Sequence, residues 1–241
     1  TPFVLPIVFA EAENSNGLLK VLIYLGCVML FCNAPFLNNQ KPYMILRCKR
    51  KGWYLGENMY VWLAAFLYML FISLISLIAV LPTVSTNRLW GEIAGDFVVN
   101  QRSLIPVYTW GLVMPVRVIQ NYYPLAAFMY TFITGWLSIV FIGKLMYLLN
   151  LKIGKKTIGI SAAVFFIMLD PVAVYFTNFK KYGLFYVSPI NWSSLENINT
   201  VSGYPHLSGE YMFIMYIILI GVESLLSYIC SIKMDIEVKM I

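Results

Sequence analysis

Charge is scarce in this chain and histidine is almost absent: of 241 residues only 12% are charged, and His206 is the one histidine. A single imidazole excludes the His-pair metal motifs, and the sequence indicates no partner that would make it a catalytic base. The four cysteines, Cys27, Cys32, Cys48 and Cys230, have neither CxxC spacing nor the density of a disulfide-built domain. They are expected as free thiols. The phosphate-cradling pattern GxxxxGK[ST] is also missing. The segment GKKT, Gly154 to Thr157, has the lysines without the upstream glycine and preceding strand that would give them a nucleotide to hold. This chain therefore hydrolyses no nucleotide itself, and no catalytic residue, metal or cofactor is assigned to it. Acid is scarcer than base, 11 residues against 17, for a net charge of +6. The excess sits in two short connectors beside apolar runs, so membrane topology accounts for it and nucleic acid is not an expected partner.

What the chain has in quantity is apolar surface, 60% of residues with a mean hydropathy of +0.76. A bilayer core takes about 20 apolar residues per helix, and several windows reach that length. No strand-like alternation of the kind a membrane barrel needs appears, so the expectation is an all-α integral membrane protein, a polytopic helical bundle in one transmembrane domain over 1–241. Spans are predicted at about 18–37, 59–81, 125–149, 158–179 and 211–231. The opening TPFVLPIVFA reads as the tail of an apolar segment, which predicts a further helix before Thr1. Residues 83–123, interrupted by Pro106 and Pro115 and by charges, are expected to form short external or half-buried helices, and 180–210 a second external segment.

The connector 38–58 is the most informative stretch. Its KPYMILRCKRKGWYLGEN sequence, Lys41 to Asn58, sets five basic residues against Glu57 and interleaves them with aromatic and aliphatic side chains. The positive-inside rule makes this loop cytoplasmic, and its mixture suits a short helix lying on the inner membrane surface. NLKIGKKT, Asn150 to Thr157, carries Lys152, Lys155 and Lys156 and no acid, and its side agrees with the parity of the first connector.

Ionisable residues inside spans are costly and are commonly paired or functional. Lys144, Asp170 and Glu223 are such residues, whereas Lys20 falls near the outer end of its span. At about 1.5 Å per residue, Glu223 lies roughly 12 Å and Lys144 roughly 8 Å above the inner edge, so an interaction between them within the bundle is expected. Asp170 is expected beside a polar cavity or capping the kink at Pro171.

The NAPF ending of the first span, RCKRKGWYLGEN, NLKIGKKTIG and the external YVSPINWSSL together resemble the permease subunits of bacterial type-2 ATP-binding-cassette exporters of the Gram-positive type. The resemblance implies a cell-membrane permease that moves a peptide, lipid or other amphipathic substrate. Its partners would be a separate ATPase dimer, which binds ATP and Mg, and a second permease chain. It further implies a coupling helix in the first cytoplasmic loop, with Arg47, Arg50, Lys51, Trp53 and Glu57 as contacts and Lys155 and Lys156 as a second contact, and an external gate containing Asn191 and Trp192. A membrane-embedded lipid-modifying enzyme, or a non-transporting membrane subunit that senses a peptide or confers immunity, are the alternative classes.

Overall fold

The computed structural model describes residues 5–9, 16–35, 41–80, 90, 116–177, 183–195 and 207–233. Among these the protein is an all-α bundle without a strand. Its helices are α1 (Leu5–Val8), α2 (Asn16–Phe31), α3 (Lys41–Val80), α4 (Val116–Asn121), α5 (Pro124–Ile153), α6 (Lys156–Thr177) and α7 (Gly209–Lys233). Single 3-10 turns at Gly183–Tyr186 and Asn191–Ser193 shape the segment between α6 and α7. Four helices, α3, α5, α6 and α7, are long and apolar enough to cross a membrane, and the apolar part of α2, Leu19–Phe31, is shorter.

The pattern of burial makes α5 the axis of the bundle. Half of its most apolar stretch is enclosed, against 22% for α3 and for α7, and α1, α2, α3, α6 and α7 all pack on it. Its small and hydroxylated residues let neighbours approach closely, as is usual where lipid offers no hydrophobic drive for association. Met69 and Phe9 lie over Gly135, and Phe31 and Val61 lie over Gly143. The outward faces of α3 and α7 are correspondingly rich in exposed Leu, Ile and Met, the surface expected of helices that meet lipid.

Two boundaries differ from the sequence expectation. The first span, predicted to reach residue 37, stops at Phe31, because the chain turns at residues 32–35 and Asn150 of α5 donates to the Ala34 carbonyl at 2.6 Å. The second begins earlier. Lys49, at φ 59° and ψ 162°, interrupts α3, so that residues 41–48 form a short separate helix while Arg50 onward runs continuously into the membrane helix. Residues 50–58, expected in a loop, therefore belong to the base of a spanning helix. Most of the expected 83–123 segment, together with 180–182, 196–206 and His206, lies outside the described residues. Its described parts are residues 116–123, which include α4, and Trp90, whose Nε1 donates to the Tyr122 carbonyl at 2.8 Å.

Candidate functional site

The helices alternate in direction, so the bundle has a basic end, carrying the exposed Arg47, Lys49, Lys51, Lys152, Lys155 and Lys156, and a far end carrying residues 183–195. Polar side chains concentrate in two layers inside the bundle, one toward each end.

The far layer is built on Lys20. Spacing of four, seven and eleven residues puts Lys20, Tyr24, Cys27 and Phe31 on one stripe of α2, and all four are fully buried against the core. The Lys20 ammonium forms an ion pair with Asp170 of α6, Nζ to Oδ1 at 3.0 Å, and donates to Ser194 Oγ at 2.6 Å. Asn191 Nδ2 donates to the same Asp170 oxygen at 3.1 Å, and Ser194 Oγ donates to the Phe9 carbonyl at 2.8 Å. One cation and one carboxylate thus hold together α2, α6, the end of α1 and the segment that crosses the far end. Beside them Tyr24 and Ser138 share a 2.5 Å hydrogen bond, and Tyr216 of α7 donates to the Pro189 carbonyl at 2.6 Å.

The two residues expected at an external gate fall in this layer, and both are buried. Trp192 donates from Nε1 to the Phe185 carbonyl at 2.7 Å and meets the rings of Tyr211 and Tyr216 edge-on. The far-end segment is consequently packed against α2, α6 and α7 at that end of the bundle. Asp170, expected beside a cavity or at the Pro171 kink, directs its carboxylate to Lys20 and Asn191 instead.

The second layer lies between α3, α5 and α7. Lys144 is buried and donates to Asn58 Oδ1 and, at 2.6 Å, to Ser224 Oγ, with its ammonium 6.0 Å from the centre of the Trp62 ring. Lys144 and Glu223 lie near enough to interact electrostatically, as expected, but not as a hydrogen-bonded pair: the ammonium goes to two neutral acceptors, and Glu223, 6% exposed, has no hydrogen-bond partner for Oε2. Below it the hydroxyls of Ser224, Ser227 and Ser231 on α7 run toward the basic end, joined by Tyr54 of α3 and Tyr147 of α5.

At the basic end the expected coupling residues divide by environment. Arg47 and Lys51 are exposed, as are Lys155 and Lys156, and Lys156 reaches Asn33 Oδ1 at 2.9 Å. Trp53 is buried with Ala34, Ile45, Tyr147 and Leu151, its ring 6.5 Å from that of Tyr147. Arg50 is half-buried and donates to the Ile232 carbonyl in the last turn of α7, one of the acceptors a helix end leaves open. Glu57 is half-buried one residue before Asn58. Arg47 and Lys51 are thus available to a partner, while Trp53 and Arg50 fasten the base of α3 to α5 and α7.

Sequence reasoning passed over Lys20 and Asn150. The signal for Lys20 was its place on the α2 stripe. Asn150 accepts from the Gly159 backbone N–H in the first turn of α6 at 3.1 Å while donating to Ala34. Nothing local marks it.

The fold and its apolar helices define a multi-pass α-helical membrane protein. Comparison of the chain with protein-family models, with curated proteins and with solved structures finds no significant match in any of the three.

Proposed function

We propose that this chain is the membrane-spanning permease subunit of an ATP-driven exporter in a bacterial cytoplasmic membrane, with the basic end in the cytoplasm. ATP and Mg belong to a separate ATPase, and a second permease chain completes the pathway for a peptide, lipid or other amphipathic substrate. The observation that supports this most is the break at Lys49. It sets a short helix with exposed Leu46, Arg47 and Cys48 at the foot of a continuous spanning helix. That foot is tied to two other helices through Trp53 with Tyr147 and Arg50 with Ile232. A push on such an elbow is delivered to α3, α5 and α7 together, as a rigid-body transition between inward and outward states requires. The enclosure of both polar layers favours helices that move against one another over an active site open to lipid headgroups.

The test is retention of the ATPase. Purified from native membranes in mild detergent, the chain is expected to carry a nucleotide-binding protein. Arg47→Glu with Lys51→Glu should lose it while the bundle stays folded, because neither side chain packs inside. Failure of the wild-type chain to retain any ATPase, or full retention by the double charge reversal, removes the reading.

A further inference from the structure

The residue the exporter reading leaves unused is Glu223. It is in the interior of α7, ten residues from the last residue of that helix at the basic end, or about 15 Å of helix. Its Oε2 is enclosed and has no donor. A bare carboxylate in that position is among the most expensive groups a membrane interior can hold, and a neutral acid is far cheaper. Lys144 is close enough to act on it electrostatically but gives it no hydrogen bond. Lys144 spends its ammonium on Asn58 and Ser224, which is the arrangement expected when the neighbouring carboxyl presents no negative charge.

The surroundings on the side of the basic end are polar. Ser224, Ser227 and Ser231 recur at helical spacing on the side of α7 that faces α3 and α5. Ser227 Oγ is 3.4 Å from the Tyr54 hydroxyl, and Ser231 Oγ is 3.4 Å from the Tyr147 hydroxyl. Each serine hydroxyl also donates back to its own helix, which accounts for the small residues as packing. The Tyr54 hydroxyl donates to the Ser224 carbonyl at 2.8 Å, so the tyrosine and serine hydroxyls make the interface of α7 with α3 and α5 polar below Glu223. The titratable groups facing this region are Lys144 and Tyr147 from α5, Tyr54 and Glu57 from α3, and Tyr228 and Cys230 on α7 itself.

We propose that Glu223 is a proton-binding site and that Lys144 is a two-position arm, resting on Asn58 and Ser224 while Glu223 carries its proton and moving to Glu223 when the proton leaves. In that step the Glu223 O–H bond breaks and the proton passes to a water molecule that enters from the basic end. Lys144 keeps its charge throughout, and its hydrogen bond to Asn58 is exchanged for an ion pair with Glu223. The link from α5 to α3 through Asn58 is given up, while Lys144 stays linked to α7, which Ser224 already joins to it. Because Asn58 is on the helix whose foot is the Lys49 elbow, proton release removes one tie between that helix and the axis of the bundle, leaving those of Trp53 with Tyr147 and of Trp136 with the Trp62 carbonyl. The inference needs no ATPase and stands or falls apart from the exporter reading.

Infrared difference spectroscopy on the protein in lipid nanodiscs tests the site. A protonated-carboxyl band is expected at neutral pH in the wild type, missing from Glu223→Gln and fading in the wild type as pH is raised. A wild-type spectrum that matches Glu223→Gln in this region at neutral pH overturns the site. The arm is tested with spin labels at Cys48 and at Lys233→Cys, with Cys32 and Cys230 replaced by alanine. The distance between the labels should change over the pH range in which the band fades, and should not change in Glu223→Gln or Lys144→Met. A distance that does not respond to pH, or that responds equally in Glu223→Gln, overturns the arm. The glutamine variant preserves shape, and the band is also read in the unmutated chain, so a folding failure of one variant leaves the outcome decidable.

Discussion

At the scale of single residues, the far layer depends on charges that cannot be removed one at a time. Lys20 and Asp170 are both enclosed, and truncating one partner of such a pair typically costs about 3–5 kcal/mol, because the other is left charged and unpaired. Lys20→Met is therefore expected to destabilise the bundle on that scale, and Lys20→Met with Asp170→Leu to recover most of the loss. Unfolding titrations in mixed micelles check both, and a single mutant as stable as wild type would show the pair to be dispensable. Asn150 gives a second case. A Cβ on Gly159 would lie 2.8 Å from Asn150 Cγ and 3.0 Å from the Met146 carbonyl oxygen, so Gly159→Ala must expel the amide that ties α2, α5 and α6. The expected loss is about 1–3 kcal/mol. Asn150→Ala should lose a similar amount, and the double variant should fall well short of the sum, since both act on one set of hydrogen bonds. Lys20 was legible in the sequence to anyone who extended its stripe to Tyr24, Cys27 and Phe31. Its partners were not, because Asp170 and Ser194 are 150 and 174 residues away and only the fold brings them near.

At the scale of elements, hydropathy locates the four long apolar helices, since a run such as Met59 to Val80 has no alternative to crossing lipid. Ends were less legible. The stop at Phe31 depends on a hydrogen bond from another helix to Ala34, and the start of α3 at the base of the bundle depends on Trp53 being buried against Tyr147. A basic, aromatic stretch reads as a surface loop until its tryptophan finds a partner. The Lys49 break was invisible for a different reason: its backbone lies in a region that glycine tolerates and a side chain resists, at about 1–3 kcal/mol. Lys49→Gly removes that resistance and is expected to raise stability by about 1 kcal/mol while loosening the elbow. Under the exporter reading, the same variant should keep its ATPase and lose transport. A variant that transports normally with greater stability would separate the strain from the elbow's function. At the other connector, Gly154, at φ 73°, closes α5 with its N–H on the Asn150 carbonyl at 2.9 Å, the left-handed cap that glycine favours. Its place in NLKIGKKT foretold a turn there.

At the scale of the whole molecule, the bundle is asymmetric along its axis. The far end is packed by residues 183–195, held on an ion pair and on the edge-on rings of Trp192, Tyr211 and Tyr216, whereas the basic end exposes Arg47 and several lysines around a foot tied to two other helices. Under the exporter reading, a packed far end and a charged, exposed foot at the other fit a force that arrives at the foot and a path that opens at residues 183–195. It requires the basic end to face the cell interior, where the positive-inside rule places it. Cys48 reports on that orientation directly, since it is exposed at the elbow while Cys27 is buried. A membrane-impermeant maleimide added to intact cells is expected to leave Cys48 unmodified and to label it once the membrane is opened, with Cys48→Ser removing the signal. Labelling of Cys48 in sealed cells would put the elbow outside, beyond the reach of any cytoplasmic ATPase. The exporter reading would then fail, while the proton site at Glu223 would remain to be judged on its own spectrum.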